Sequence, residues 1–342
     1  MKAAVLVEQK APLVVTEVDL PELDIGQVLV KVEYTSICGK QLEEIGGKRG
    51  PDPYLPHLLG HEGAGTVKRA GPGVRKVKAG DHVVLQWRKG SGIDSAPPRF
   101  NWDGREVSAG WVTTFSEYTV ASENRVTPIP RGVNLEAACL LGCAVTTGLG
   151  IVFNNAGMMP GQGIAVFGVG GVGLNVIQGA ALVNAHPIVA VDLYEHKLEQ
   201  AQAFGATHIV NSGEADTLAA LIELTDGRGL DVTVDTTGNS LVRQTAYQAT
   251  SNTGKTIFAG VPYLDEQIAI DSFPLHFGRR VIGSHGGDTL PDEDIPRYIR
   301  LYQLGKLKLE EQITHRFTLS EINKGIDAVM RGEASRCVIS MG

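Results

Sequence analysis

The sequence predicts a two-domain α/β protein, a Gly-rich β domain of barrel type followed by a doubly wound parallel sheet. Three observations predict it. The chain has 342 residues, a length that favours two domains over one. Residues 1–135 read as short strands separated by turn signals. From about residue 145 to 285 strands alternate with helical patterns, and that alternation implies a parallel sheet covered on both faces.

The expected strands of the first region are Ala3–Val7, Val28–Tyr34, Gly65–Arg69, His82–Leu85 and Phe115–Val120, with Gly71-Pro72-Gly73 and Ala79-Gly80-Asp81 as turns between them. In the second region Ile164–Phe167 is an apolar strand. A Gly-rich turn and a helix over about Val172–Val183 come next, then a strand at Ile188–Asp192. A helix over Glu195–Phe204 ends at Gly205, a C-cap position. Further strands are expected at His208–Val210, Val232–Asp235 and Thr256–Gly260. The tail returns to mixed character, with helices near Asp294–Leu304 and Ser320–Met330 and a strand at Arg336–Ile339, and is expected to pack on the first domain. The expected division is 1–144 with 286–342, and 145–285.

Hydrophobic residues are 43% and charged residues 20%, the balance of a globular protein. A net charge of −7 argues against nucleic acid or an anionic membrane as partner, because both need a basic surface. Four cysteines, at 38, 139, 143 and 337, are too sparse for a disulfide framework, so a reducing, cytoplasmic location is expected. The N-terminus has no signal-peptide pattern. Between Glu136 and Asp192 no charged residue occurs, but glycines, Asn154, Asn155, Pro160 and Asn184 break the run. It reads as the hub of a buried parallel sheet and not as a membrane span.

Gly168-Val169-Gly170-Gly171-Val172-Gly173 is a G-x-G-x-x-G step directly after a strand and before a helix. Gly168 allows the tight turn, Gly170 lets the backbone approach a pyrophosphate, and Gly173 lets helix and strand sit close. The helix N-terminus then offers unpaired N–H groups to phosphate oxygens. The next strand ends in Asp192, 19 residues beyond Gly173, where a carboxylate can bind the adenosine ribose diol and would repel a 2′-phosphate. NAD is therefore expected over NADP.

Cys38, His61 and Cys143 form a Cys₂His set of the kind that holds a catalytic zinc and leaves one position open. Their spacing, 23 and then 82 residues, is not that of a compact finger. On spacing alone the three are equally readable as buried free thiols and a satisfied core histidine.

With these motifs the chain resembles the medium-chain dehydrogenase/reductase family, in its zinc-dependent alcohol dehydrogenase branch. The resemblance is carried by Ser36-Ile37-Cys38-Gly39, Gly60-His61-Glu62-Gly63-Ala64-Gly65, Gly80-Asp81-His82-Val83 and Gly142-Cys143-Ala144-Val145-Thr146-Thr147-Gly148. It extends to Gly283-Ser284-His285-Gly286-Gly287 and Leu319-Ser320-Glu321-Ile322. It implies a GroES-like catalytic barrel, a Rossmann domain, one catalytic zinc and NAD. It implies Cys38, His61 and Cys143 as zinc ligands, with Glu62 beside the metal and able to approach it. Thr147 and Val172 are implied neighbours of the nicotinamide, and Asp192 and Lys197 of the adenosine ribose. Val261 is implied at the carboxamide and Arg336 at the pyrophosphate.

Three departures stand out. The close-set cysteine lobe of a structural zinc is missing from Trp87–Ala109, so a single zinc is expected. Lys40 stands where the family has the hydroxyl that passes the alcohol proton, and Gln41 replaces an acid that supports the histidine ligand. Lys40 is expected either to transfer that proton, which requires burial, or to anchor an anionic substrate; its alternative is a lysine with its head in solvent. Arg88 and Lys89, after Trp87, are expected to add to a basic pocket for a phosphate, carboxylate or sugar derivative. The expected activity is hydride transfer between NAD(H) and a small alcohol, aldehyde or ketone, by a homodimer or homotetramer. The alternatives are a zinc-free quinone or enone reductase of the same fold and a non-catalytic NAD(H)-binding sensor or scaffold.

Overall fold

A computed structural model describes residues Met1–Gly342. The chain divides into two compact units, Met1–Cys143 with Leu290–Gly342, and Ala144–Thr289.

The first unit is built mainly of β structure. Its strands are β1 (Lys2–Leu6), β2 (Val14–Glu17), β3 (Gln27–Ile37), β4 (His57–Leu58) and β5 (Gly63–Ala70). They continue with β6 (His82–Leu85), β7 (Phe100–Trp102), β8 (Arg105–Val107), β9 (Tyr118–Ser122) and β10 (Val126–Ile129). Alternation drives them: in β3, Val28, Val30 and Val32 are buried while Lys31 and Glu33 are partly exposed and paired with each other. The cysteine-free stretch 87–109 contains the small β7–β8 hairpin.

The second unit holds β11 (Ile164–Phe167), β12 (Ile188–Asp192), β13 (His208–Asn211), β14 (Leu230–Asp235), β15 (Thr250–Phe258) and β16 (Arg280–Gly283). All pair in parallel, in the order β13-β12-β11-β14-β15-β16. The order reverses at β11, the position where a doubly wound sheet opens its crevice. β11 is buried along its whole length, as a central parallel strand must be. Ile164, Val166 and Ile188 pack with Leu174 and Ile177 of the helix Gly171–Leu182 on one face, while Ala165, Phe167 and Val189 pack with Leu221 and Ala246 on the other.

The tail adds the helix Pro291–Gln303, β17 (His315–Thr318), the helix Ile322–Met330 and β18 (Cys337–Ser340). β18 pairs antiparallel with β3, setting Cys337 opposite Ile37, and closes the order β10-β6-β5-β3-β18-β17. Ile322 and Ile326 join the core of Val28, Val30 and Phe115.

The uncharged run folds as a series of short helical segments, Leu135–Ala138, Cys139–Gly142, Ala144–Gly150 and Ile151–Ala156, then β11 and its helix. No single helix is long and apolar enough to cross a membrane.

Candidate active site

The metal-ligand candidates converge in the first unit. Cys38 precedes the helix Gly39–Ile45, His61 lies in the turn between β4 and β5, and Cys143 ends the segment after Gly142. Their ligand atoms all lie within 4.8 Å of one another. Two glycines make this approach possible. Gly60 has φ +89, and a Cβ there would stand 2.4 Å from Thr114 Oγ1. A Cβ on Gly142 would stand 2.3 Å from the Leu85 carbonyl oxygen. Neither position has room for a side chain.

The Cys38 and Cys143 thiols are hydrogen-bond neighbours. The Cys143 thiol donates to Cys38 and holds the Cys38 pKa well below the ordinary thiol range, against the opposing effect of burial, with His61 adding to the lowering. The Cys143 thiol is correspondingly pushed well up, first by that hydrogen bond and then by burial. Two soft sulfurs and an imidazole with their ligand atoms within 4.8 Å of one another match zinc in donor type and number. Cys139 and Cys337 are buried and stand outside this cluster. Burial pushes both of their thiols up, Cys337 to about 11, so they are inert packing residues.

Gln41 supports the histidine. It is 1% exposed; its Oε1 accepts from the Cys38 backbone N–H at 3.0 Å, and its Nε2 lies 2.6 Å from His61 Nδ1. Beside His61, Glu62 is fully buried and forms an ion pair with Arg336 at 2.5 Å. Burial pushes the Glu62 carboxyl up, and the Arg336 charge opposes that rise. Thr35 and Thr114 both donate to the Glu62 carbonyl, at 2.7 and 3.1 Å, which fixes the His61-Glu62 backbone.

Two residues have ion-pair partners that the sequence does not show. Lys40 is not buried as a proton-transfer group would be. Its side chain is 30% exposed, and its ammonium lies 3.0 Å from Glu44 one helical turn on. The i,i+4 geometry of the helix Gly39–Ile45 directs it there. Arg336, assigned by resemblance to the pyrophosphate, is 3% exposed and turned onto Glu62. Its position immediately before β18 carries it inward beside β3. Lys89 is exposed and paired with Asp94 at 2.8 Å, and Arg88 lies over the Trp87 ring.

The nucleotide motif occupies the second unit. Gly170 caps the helix Gly171–Leu182, and the space beside its Cα is open, as close approach of a ligand requires. At Gly173 a Cβ would stand 1.9 Å from the Gly168 carbonyl oxygen, so glycine there sets the helix against the strand. Asp192 ends β12; its Oδ2 accepts from Val169 N–H at 2.7 Å, and its Oδ1 from the N–H groups of Leu193 and Tyr194 at 2.8 and 3.1 Å. The loop is thereby tied to the acid. Lys197 lies 4.7 Å from the centroid of the Tyr194 ring. Thr147 is on the helix Ala144–Gly150, Val172 is in the first turn of the next long helix, and Val261 lies in the loop just past β15.

Residues 24–131 match the family described as alcohol dehydrogenase GroES-like domain, and residues 171–303 match zinc-binding dehydrogenase. The chain is 36% identical to alcohol dehydrogenase class-3 of Cereibacter sphaeroides, over 99% of both chains. The chain belongs to the zinc-dependent alcohol dehydrogenase family. It is 37% identical to S-(hydroxymethyl)glutathione dehydrogenase of Saccharomyces cerevisiae, over 98% of this chain and 95% of that one. Among solved structures it superposes on an alcohol dehydrogenase zinc-binding domain protein from Burkholderia ambifaria with a TM-score of 0.92 at 28% identity, covering 100% and 98% of the two chains. Benzyl alcohol dehydrogenase from Acinetobacter calcoaceticus gives 0.90 at 29% identity, covering 100% and 99%. As a zinc-dependent alcohol dehydrogenase, this protein is an NAD-linked oxidoreductase of alcohols, and zinc and NAD are its cofactors.

Sequence reasoning missed Arg125 beside Trp87. An arginine next to a strand start carries no sequence signal, and only the fold shows it to be buried.

Proposed function

We propose that this alcohol dehydrogenase binds one catalytic zinc through Cys38, His61 and Cys143 and exchanges hydride between NAD(H) and a small polar or anionic alcohol or its carbonyl counterpart. The observation that carries this reading is the convergence of two thiols and an imidazole within 4.8 Å. Zinc in such a set supplies Lewis acidity, lowering an alcohol's pKa and polarising a carbonyl.

The chain's own residues divide the remaining work. Gln41 orients the His61 ring, and the Thr35 and Thr114 hydroxyls fix its backbone. Glu62 brings a carboxylate beside the ligands, and Arg336 holds it there and offsets its charge. The loop from Gly168 to Gly173 would hold the pyrophosphate of NAD, with Gly171 N–H at the helix start, and Asp192 its adenosine ribose. Lys197 beside the ribose, and Thr147, Val172 and Val261 beside the nicotinamide, complete the proposed cofactor contacts. Lys40, paired with Glu44, has no part in proton transfer in this reading.

Four free cysteines, two of them in the metal cluster, support a reducing, cytoplasmic location. The edge strand β16, with exposed Phe273 and Phe277 just before it, supports a homodimer or homotetramer formed through that edge. An NAD⁺-reduction screen over primary, secondary, polyhydric and acidic alcohols, run beside zinc quantification, tests the reading. Stoichiometric zinc and turnover of at least one alcohol class are expected. Full activity in zinc-free protein would favour the zinc-free reductase instead.

A further inference from the structure

The strand order brings three short segments of the first unit to one end of a sheet. β5 begins at Gly63, immediately after His61-Glu62. Gly63 is opposite Leu85, the last residue of β6, and Leu85 is opposite Val126, the first residue of β10. Trp87-Arg88 therefore leaves, and Arg125 enters, at the sheet end where the metal-ligand histidine lies. Strands are spaced about 4.8 Å apart, so Arg125 and Glu62, two strands apart, have backbones separated by roughly 10 Å.

Arg125 is unusual for a buried cation. It is 8% exposed, yet no carboxylate lies within ion-pair distance of it. One guanidinium nitrogen donates to the Trp87 carbonyl, the guanidinium carbon lies 5.2 Å from the centroid of the Trp111 ring, and the buried Nε has no partner. Burial lowers the Arg125 pKa from its ordinary value, with the Asp94 charge opposing and the Arg88 charge adding to the lowering. The acids around it are already matched. Asp94 accepts from Lys89 at 2.8 Å and from Asn124 at 3.0 Å. Asp292 pairs with Lys76, and Glu123 accepts from the backbone N–H groups of Arg75, Lys76 and Ile93. Asp94, the acid whose charge acts on Arg125, is itself bonded to Lys89 and Asn124, so the Arg125 guanidinium has no carboxylate in direct contact. A buried cation left in this condition is costly unless an anion completes it. Arginine beside exposed tryptophan is suited to a planar oxyanion with an attached apolar or aromatic body. Trp111 is 56% exposed and offers such a surface.

We propose that Arg125, with Arg88 beside it, is the recognition site for the oxyanion of a small alcohol substrate that carries a carboxylate or phosphate at the end remote from its hydroxyl. The inference rests on the dehydrogenase reading above and names its substrate class. Of the basic residues the sequence suggested it keeps Arg88 and sets aside Lys40 and Lys89, which are paired with Glu44 and Asp94; the buried cation is Arg125.

The test uses zinc-loaded holoenzyme and three matched probes: 4-(hydroxymethyl)benzoate, 4-(hydroxymethyl)phenyl phosphate and benzyl alcohol. At least one anionic probe is expected to exceed benzyl alcohol in kcat/KM by about tenfold or more, the scale of one charge-assisted hydrogen bond, and the two anionic arms show which oxyanion fits. Arg125→Met is expected to collapse the anionic-to-neutral ratio toward one, and a ratio cancels any loss of folded enzyme common to the probes. Should that variant fail to fold, competition of wild-type turnover by benzoate or inorganic phosphate gives the same information. Calorimetric binding of the probes separates the two readings. Anion-selective binding without turnover defeats the dehydrogenase reading and leaves the anion site standing. Turnover with equal kcat/KM for benzyl alcohol and both anions, and no competition by either anion, overturns the anion site alone.

Discussion

Gln41 Nε2 lies 2.6 Å from His61 Nδ1 while Gln41 Oε1 accepts from the Cys38 backbone N–H. The backbone N–H can only donate, so it fixes the amide with its oxygen toward Cys38 and its NH₂ toward the ring. His61 Nδ1 must then accept. An imidazole that binds a metal through its other nitrogen carries its proton on Nδ1 and must donate. Gln41 therefore suits the metal-free histidine better than the metal-bound one. Glu at this position accepts from both groups. Gln41→Glu is expected to slow zinc loss to a chelator, and Gln41→Leu to change it by far less than the roughly 10–100-fold that loss of a well-matched supporting partner costs. Zinc release followed with a colorimetric chelator measures both; faster release from Gln41→Glu than from wild type would contradict the argument.

Removing a ligand is a harsher change. Cys38→Ser, His61→Ala and Cys143→Ser are each expected to give protein with well under one zinc per chain and activity reduced by several orders of magnitude. Elemental analysis and NAD⁺-reduction rates, with circular dichroism as the folding control, make the comparison. Cys139→Ser, at a buried thiol outside the cluster, is expected to keep its zinc.

Two glycines of the nucleotide loop, Gly170 and Gly173, are expected to separate stability from binding. Gly173→Ala forces a Cβ against the Gly168 carbonyl oxygen and is expected to destabilise the fold by about 1–3 kcal/mol or more. Gly170→Ala meets no atom of the protein within 4 Å, so its Tm is expected to stay close to wild type while its NADH affinity falls. Thermal melts and NADH fluorescence titration read the two effects apart.

Acid stability has a named contributor in Glu123. Burial raises its carboxyl pKa, but the N–H groups of Arg75, Ile93 and Lys76 outweigh that and leave it below the ordinary value. A carboxyl depressed in the folded state contributes stability that is complete above its unfolded pKa, near about 4.3. That stability is lost as pH falls through the lower folded value. Glu123→Gln is expected to cost about 1–3 kcal/mol near neutral pH and to flatten the fall in Tm below about pH 4.5. Tm measured against pH for both proteins checks the slope.

Lys40→Ala is expected to change little. A half-exposed i,i+4 pair with Glu44 is worth about 0.3–0.5 kcal/mol. The pH profile of kcat is expected to match wild type; a shifted alkaline limb would restore Lys40 as a proton-transfer group.

The second unit was legible because its signals are local. Ile164–Phe167, the G-x-G-x-x-G turn and Ile188–Asp192 are contiguous, and the structure returns both strands at the expected residues. The first unit was legible as short strands, but not in its pairing. Nothing local tells that β18 lies beside β3, or that His61 and Arg125 leave from one sheet end. The metal set needed the resemblance, because 23 and 82 residues of intervening chain carry no geometric information. The partners of Lys40 and Arg336 were not legible for a related reason: residue type announces a charge, whereas the partner that claims it, Glu44 or Glu62, is settled by backbone direction.

The pairing of Cys337 with Ile37 also orders events during synthesis. Residues 144–289 are contiguous and can complete their sheet while the ribosome is still making the tail. The segment that carries Cys38 must wait for a strand made some three hundred residues later. Until then Glu62 lacks its guanidinium and β3 has an open side. A nascent chain can thus acquire its nucleotide fold early and its metal centre last, and loss of the final few residues would strike the metal centre first.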